Sequence, residues 1–119
     1  MGATQLQSNN SATAGEVACE SVIYSGGGFS NNFAIPPYQK AAVKSYFQNY
    51  PPPYGADRFN NSTQTRGFPD VSANGANYII SLGGQFVLVY GTSASTPTFA
   101  SIITLINNEY VLLYGAGPR

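Results

Sequence analysis

The 119 residues predict an α/β fold, because short β-type runs alternate along the chain with two stretches of helical periodicity. Residues 78–82 and 85–90 are rich in β-forming side chains and flank Gly83-Gly84, a combination that is a signature of a β-hairpin. The second run leads into Gly91, and a helical pattern follows from about Thr96. The length allows one domain or part of one.

The first part of the chain carries weaker signals. Residues 1–18 are small and polar, which predicts the end of a strand followed by a loop. Residues 20–25 predict a short strand, and the glycines at 26–28 stop it in a tight exposed loop, since consecutive glycines favour unusual backbone angles. These glycines are expected to form a turn or a wall of a substrate cleft. A phosphate-binding loop is disfavoured, because such a loop is followed by a helix with a characteristic Lys and Ser/Thr, and no such helix follows here.

Residues 38–50 predict an amphipathic surface helix. Two prolines precede this stretch, and apolar side chains recur in it at helical spacing, at Tyr38, Ala41, Ala42, Tyr46 and Phe47. Three prolines at 51–53 end the helix, because proline cannot continue a helical backbone. Residues 54–66 are polar and predict a surface excursion.

Three Asn-x-Ser/Thr sequons begin at Asn9, Asn60 and Asn61. Such sequons accept N-linked glycans in exported proteins, but they also arise by chance in loops rich in Asn, Ser and Thr. The sequence alone therefore leaves open whether any of these asparagines is modified.

The last predicted element is a helix from about Thr96 to Leu113. Pro97 suits a first helical turn, where its missing N–H removes no intrahelical hydrogen bond. A broad apolar face is formed by Phe99, Ala100, Ile102, Ile103, Ile106 and Tyr110. We expect this helix to be buried.

The composition excludes several classes of function. Only 8% of the residues are charged and the net charge is zero, whereas about a quarter of the residues are charged in a typical soluble domain. The five Lys and Arg residues are scattered, so no nucleic-acid-binding surface is expected. No run approaches the roughly 18 apolar residues of a membrane span. The first residues lack the basic and apolar regions of a signal peptide, so any export signal is expected upstream.

The chain contains one cysteine, Cys19, and no histidine. A single cysteine forms neither a disulfide nor a cysteine-based metal site within its own chain. Cys19 is therefore expected to be a small buried side chain, or to pair with a cysteine outside this sequence. The lack of histidine removes both the usual general base and the commonest metal ligand.

Ser93 is the candidate nucleophile. It lies between the second hairpin strand and the amino end of the last helix, where free backbone N–H groups and the helix dipole favour an oxyanion. From the residues alone, a helix cap formed by Thr92 or Ser93 is favoured over a nucleophile, because a serine in a cap is common.

Three stretches resemble, in order, the sedolisins, which are subtilisin-fold peptidases whose serine is served by Glu and Asp. Residues 91–101, Gly-Thr-Ser-Ala-Ser-Thr-Pro-Thr-Phe-Ala-Ser, resemble the nucleophile signature of that family. Residues 25–31, Ser-Gly-Gly-Gly-Phe-Ser-Asn, are similar to its glycine-rich segment. Residues 66–73, Arg-Gly-Phe-Pro-Asp-Val-Ser-Ala, are similar to the strand before the nucleophile hairpin. The resemblance covers nearly the whole chain.

This resemblance implies that residues 1–119 are a carboxy-terminal part of a peptidase catalytic domain. The implied fold is an incomplete subtilisin-like one, with a mostly parallel sheet flanked by helices. Ser93 would be the catalytic nucleophile and its backbone N–H an oxyanion donor. The family's base Glu, its Asp partner and its oxyanion Asp are expected upstream of Met1, and its calcium loop beyond Arg119. No cofactor is therefore expected in this chain, and calcium only in the full-length parent.

The acidic residues of the chain are not expected to replace the missing ones. Asp70 follows Pro69 at a predicted strand start and is expected to be structural, while Glu16, Glu20 and Glu109 are expected to be solvated.

The predicted function is hydrolysis of peptides or unfolded proteins at acid pH, as a tripeptidyl-peptidase or an endopeptidase, by an exported or lumenal parent. Two alternatives remain open: a catalytically inactive fragment or decayed copy, and an unrelated secreted β-rich binding domain.

Overall fold

A computed structural model describes residues 1–7 and 13–115, so the sequon at Asn9 lies outside the described residues. The elements in chain order are β1 (Gly2–Leu6), β2 (Glu16–Ala18), β3 (Gly28–Ala34), a 3-10 turn (Pro37–Gln39), α1 (Lys40–Asn49), β4 (Thr65–Phe68), β5 (Ser72–Asn74), β6 (Tyr78–Leu82), β7 (Gln85–Val89) and α2 (Thr92–Tyr114). The chain divides into two compact units, Met1–Ser25 with Val71–Arg119, and Gly26–Asp70. The mixture of helices and small sheets agrees with the predicted α/β class.

The sheets are small, and parallel pairing is limited. The first unit contains a three-stranded sheet in the order β2-β1-β5 and the hairpin β6-β7, while β3 pairs with β4 in the second unit. Within the described ranges only β1 and β5 are parallel, so the mostly parallel sheet implied by the resemblance is not observed here. Short connections account for two of the antiparallel pairs, since a parallel pair needs a crossover of a dozen or more residues.

The amino-terminal part of the first unit corrects the sequence prediction. The expected strand over residues 20–25 is wrong, because this segment is a turn closed by a single bridge between Glu20 and Tyr24. The Ser25 N–H donates to the Cys19 carbonyl at 2.9 Å, and the Ser25 hydroxyl accepts from the Ala3 N–H at 3.0 Å. These bonds bend the segment back onto β1. The short strand here is instead β2, which is exposed along its length.

The core of the first unit is made of small side chains. Ala3, Cys19 and Ala76 are buried, with Ile23 and Tyr90 packed against them. Cys19 is fully buried and its thiol donates to the Thr4 carbonyl at 3.1 Å, so the expectation of a small buried side chain is confirmed. Burial raises the pKa of the Cys19 thiol, which disfavours the reactive thiolate.

The second unit places α1 close to its predicted position. The 3-10 turn precedes it, and it ends before Pro51, as expected from the three prolines. Its buried side is narrower than the predicted apolar face, because Val43 is buried while Tyr46 remains 41% exposed. The packing on this side is aromatic: the Phe29 and Phe47 rings lie 4.9 Å apart and the Phe47 and Phe59 rings 6.1 Å apart.

Asp70 is the centre of a hydrogen-bond network in the second unit. Its Oδ1 accepts from the Tyr38 hydroxyl at 2.9 Å and from the Gln39 side-chain amide at 2.6 Å, and its Oδ2 pairs with Arg66. Gln39 is buried and also bonds both backbone groups of Gly67, which ties the 3-10 turn to β4. The structural role predicted for Asp70 agrees with these contacts.

The same contacts set the charge of Asp70. The hydrogen bond from Tyr38, with those from Gln39 and Arg66 and the positive charge of Arg66, holds the pKa of Asp70 below its usual value. A carboxyl whose pKa is depressed by folding stabilises the fold above its unfolded pKa of about 3.9. That contribution declines as the pH falls below the unfolded pKa and is gone once the pH is below the lower folded pKa.

The second helix is more exposed than the sequence predicted. α2 packs on β1 and β5, and Ser95 in its first turn is fully buried. Farther along, Ile102 and Ile106 expose 48% and 57% of their surface, so the predicted burial of this helix is wrong for the described residues. None of the helices in the described ranges has both the length and the apolar character needed to cross a membrane.

Candidate active site

The hairpin brings the chain to the candidate nucleophile. β6 and β7 pair in register from Tyr78 opposite Val89 to Leu82 opposite Gln85, as the sequence predicted. Gly83 and Gly84 have φ angles of 60° and 80°, which suit a two-residue turn that other residues rarely form.

Gly91 forms a sharp corner between β7 and α2. Its φ and ψ are both 154°, a combination open essentially to glycine alone. The Gly91 N–H donates to the Gly75 carbonyl at 2.8 Å, and the Gly91 carbonyl accepts from the N–H groups of Ala94 and Ser95 at 3.0 and 3.2 Å. The corner is thus held on one side by Gly75, the residue after β5, and on the other by the first turn of α2.

Sequence reasoning missed Gly75, which lies behind this corner. It is buried, and a Cβ atom built on it would lie 2.4 Å from the Ala3 Cβ and 3.0 Å from the Gly91 carbonyl oxygen. Only glycine lets β1, β5 and the corner approach this closely. The sequence held no local signal for this role, because the close neighbours come from distant parts of the chain.

Ser93 is the second residue of α2, close to the predicted junction. The helix begins at Thr92, four residues before the predicted Thr96. Pro97 therefore lies inside the helix and not in its first turn. Because proline has no N–H, the Ser93 carbonyl lacks the hydrogen bond that a helix normally gives it from the residue four positions later.

The polar groups of Ser93 are free. Its side chain is exposed, and across the described ranges neither its Oγ nor its backbone N–H has a hydrogen-bond partner. The N-cap is Gly91 and no side chain caps the helix, so the alternative of a cap by Thr92 or Ser93 is not observed. The neighbouring hydroxyls of Ser95 and Thr96 instead donate to the Thr92 carbonyl, at 3.0 and 2.7 Å.

Ser93 opens onto a cleft of about 470 Å³ within the first unit. The cleft is lined by Tyr78, Ile80, Val89, Tyr90, Ser93, Ala94, Pro97, Thr98 and Ser101. The Tyr78 hydroxyl lies 2.8 Å from both the Asn74 carbonyl and the Thr98 hydroxyl, and so joins the hairpin to the helix. Because the side chains of Ala94 and Ser93 are small, a peptide backbone has room to approach Ser93, the candidate nucleophile.

Among the described residues of the first unit, no acidic or basic side chain is hydrogen-bonded to Ser93. Glu109 lies 16 residues farther along α2, which corresponds to about 24 Å of helix. Glu16 and Glu20 are exposed, as expected, and no hydrogen bond in the described ranges joins either of them to Ser93. Among the described residues no group of three His, Cys, Asp or Glu side chains is placed to hold a metal ion.

Comparison with known proteins returns peptidases. Tripeptidyl-peptidase SED1 of Arthroderma otae is 43% identical over 91% of this chain and 18% of its own length. Aorsin of Aspergillus oryzae is 48% identical over 79% of this chain and 16% of its own length. Physarolisin of Physarum polycephalum is 49% identical over 87% of this chain and 18% of its own length. The chain spans less than a fifth of the length of each of these relatives. No family model matches the chain.

Proposed function

The chain belongs to the sedolisin family of peptidases, and from that membership we propose that it supplies the nucleophilic serine of an acid-acting serine peptidase. One observation carries the proposal: at the start of α2, the Ser93 hydroxyl and the Ser93 backbone N–H are both without partners in the described residues. Acyl transfer by serine needs a hydroxyl that is free to attack and a nearby N–H that is free to bind the oxyanion.

In the proposed reaction, the Ser93 Oγ attacks the carbonyl carbon of a peptide bond while its proton passes to a carboxylate base. The carbonyl oxygen gains negative charge and accepts a hydrogen bond from the Ser93 N–H, at the positive end of the α2 dipole. Collapse of this intermediate expels the amine with the proton and leaves an acyl group on Oγ. Water then attacks the ester, releasing the acid product and restoring Ser93.

The pH range of this reaction follows from the nature of the base. The resemblance assigns that role to a Glu with an Asp partner. A carboxylate holds its proton too weakly to serve well at neutral pH unless its pKa is raised, so a Glu/Asp pair in place of His favours catalysis at acid pH.

Peptides and unfolded proteins are the proposed substrates. SED1 of Arthroderma otae carries the name of a tripeptidyl-peptidase, and release of tripeptides and internal cleavage both fall within the proposal. An exported or acidic lumenal location and a calcium ion in the full-length parent rest on the resemblance alone. Among the described residues no group of three His, Cys, Asp or Glu side chains is placed to hold such an ion.

A second candidate is that this chain is catalytically inactive by itself. The observation favouring it is the lack of any acid or base hydrogen-bonded to Ser93 in the described ranges. This candidate concerns the chain alone, whereas the peptidase proposal concerns a protein that also contains the base.

The test is a chimera of aorsin in which the segment matched by this chain is replaced by this chain. We expect the chimera to hydrolyse unstructured peptides at acid pH, because the two segments are 48% identical and the remaining catalytic groups would come from aorsin. Melting curves of the chimera and aorsin control for folding. A folded chimera with no turnover at any acid pH would contradict the proposal.

Gly91→Ala in this chimera is expected to lower kcat by about 10²- to 10³-fold, the usual cost of losing one oxyanion donor. A Cβ on Gly91 would lie 3.5 Å from the Ser93 nitrogen, and the corner would be strained at a φ of 154°. Gly84→Ala is the control, because its φ of 80° also disfavours alanine while a Cβ there meets nothing within 4 Å. Steady-state kinetics that showed equal losses of kcat from both would contradict this role of Gly91.

A further inference from the structure

Two overlapping sequons lie in the polar loop between α1 and β4. Asn60 begins the triplet Asn-Asn-Ser, and Asn61 begins Asn-Ser-Thr. Both triplets satisfy the acceptor rule, so the sequence cannot choose between them. From the surroundings of the two side chains we infer that Asn61 is the acceptor of an N-linked glycan and that Asn60 is not.

The Asn60 side chain is part of the fold. Its Nδ2 donates to the Ser30 carbonyl of β3 at 3.0 Å and to the Asn31 Oδ1 at 3.2 Å. Its Oδ1 accepts from the Ser62 N–H at 3.1 Å. Both amide hydrogens and the amide oxygen of Asn60 are therefore used in holding the loop against β3.

A glycan on Asn60 would conflict with these contacts. The sugar is attached to Nδ2 and replaces one of its two hydrogens, so at least one of the two donated hydrogen bonds would be lost. The first sugar ring would also have to fit where Nδ2 now lies 3.0 Å from the Ser30 carbonyl oxygen. Asn60 is only partly exposed, which leaves little room for a bulky group.

The Asn61 side chain has the opposite surroundings. It is exposed, and across the described ranges its amide has no hydrogen-bond partner. Both asparagines line an open surface cavity of about 390 Å³, so the difference between them lies in exposure and hydrogen bonding. A glycan attached to Asn61 extends into solvent and displaces no contact of the folded chain, as expected for a surface acceptor.

The modification is a transfer from a lipid-linked oligosaccharide. The Asn61 Nδ2 forms a bond to the anomeric carbon of the first sugar and loses one proton. The bond between that carbon and the lipid pyrophosphate breaks, and the lipid pyrophosphate leaves with the electron pair. No oxidation or reduction takes place.

The experiment is translation of the full chain behind an export signal in microsomes that hold lipid-linked oligosaccharide. Asn9→Gln removes the third sequon from every sample. Chains protected from added protease are treated with a peptide N-glycosidase in heavy-oxygen water, which leaves a labelled aspartate wherever a glycan was attached. Mass spectrometry of the loop peptide then locates the label.

Two single substitutions separate the sequons while keeping both asparagines. Ser62→Ala removes the Asn60 sequon and preserves that of Asn61, and Thr63→Ala does the reverse. We expect the label at Asn61 in the parent and in Ser62→Ala, and no label in the loop of Thr63→Ala. A label at Asn60 in any sample, or protected parent chains with no label in the loop, would overturn the inference.

Discussion

Replacing Ser93 by alanine in the aorsin chimera is expected to lower kcat by about 10⁴- to 10⁶-fold. In a studied serine peptidase, removal of the nucleophile costs about 10⁶-fold in kcat, and binding and the oxyanion hole retain about 10³- to 10⁴-fold over water. Ser93→Ala removes the proposed nucleophile, whose hydroxyl has no hydrogen-bond partner among the described residues. Folding should be unaffected, because the exposed Ser93 Oγ makes no hydrogen bond in the described residues.

Asp70→Asn is the control for this prediction, since Asp70 is the acid nearest to Ser93 in the sequence upstream. The change removes the ion pair with Arg66 and weakens the bonds from Tyr38 and Gln39. We expect a lower Tm, with kcat changed by no more than a few-fold. The difference in Tm should shrink below about pH 3.9, where Asp70 of the unfolded chain is protonated and the advantage of its low folded pKa fades.

The measurements are kcat and Tm of the two variants across acid pH. Equal losses of turnover from Ser93→Ala and Asp70→Asn, with both variants folded, would show that Asp70 takes part in catalysis. Full activity of Ser93→Ala would exclude Ser93 as the nucleophile.

Features set by local chemistry were predictable from the sequence. The hairpin follows from two β-rich runs around Gly83-Gly84, and its register needs no information from elsewhere. The place of Ser93 near the junction of β7 and α2 follows from the end of one pattern and the start of another. Its role as nucleophile could not be derived in this way, because a helix cap fits the same pattern and only the resemblance to sedolisins favoured catalysis.

Features set by distant contacts were not predictable. Residues 20–25 have β-forming side chains, but hydrogen bonds to Ala3 and Cys19 bend them into a turn. The start of α2 was misplaced because the backbone of Gly91 begins the helix early and Pro97 is accommodated inside it. The apolar face of α2 predicted burial, yet burial depends on which elements are present to cover it.

The final prediction concerns the 119-residue chain expressed alone, which we expect to hydrolyse no peptide at a measurable rate from strongly acid to neutral pH. An unassisted serine hydroxyl is a weak nucleophile, and a general base contributes about 10²- to 10⁴-fold. The chain has no histidine, and no carboxylate is bonded to Ser93 in the described residues. Loss of one oxyanion donor would cost about 10²- to 10³-fold, although such losses do not simply multiply.

Poor solubility is the expected companion result, because the exposed apolar side chains of α2 favour association when nothing covers them. The assay therefore needs purified chain shown to be monomeric, incubated with unstructured peptides at each pH, with Ser93→Ala prepared in parallel. Product formed equally by both samples would come from a contaminating peptidase and would leave the expected inactivity standing. Turnover that Ser93→Ala abolishes would refute it, since the chain would then contain a base that activates Ser93, and the five acidic residues would be the first to substitute in search of it.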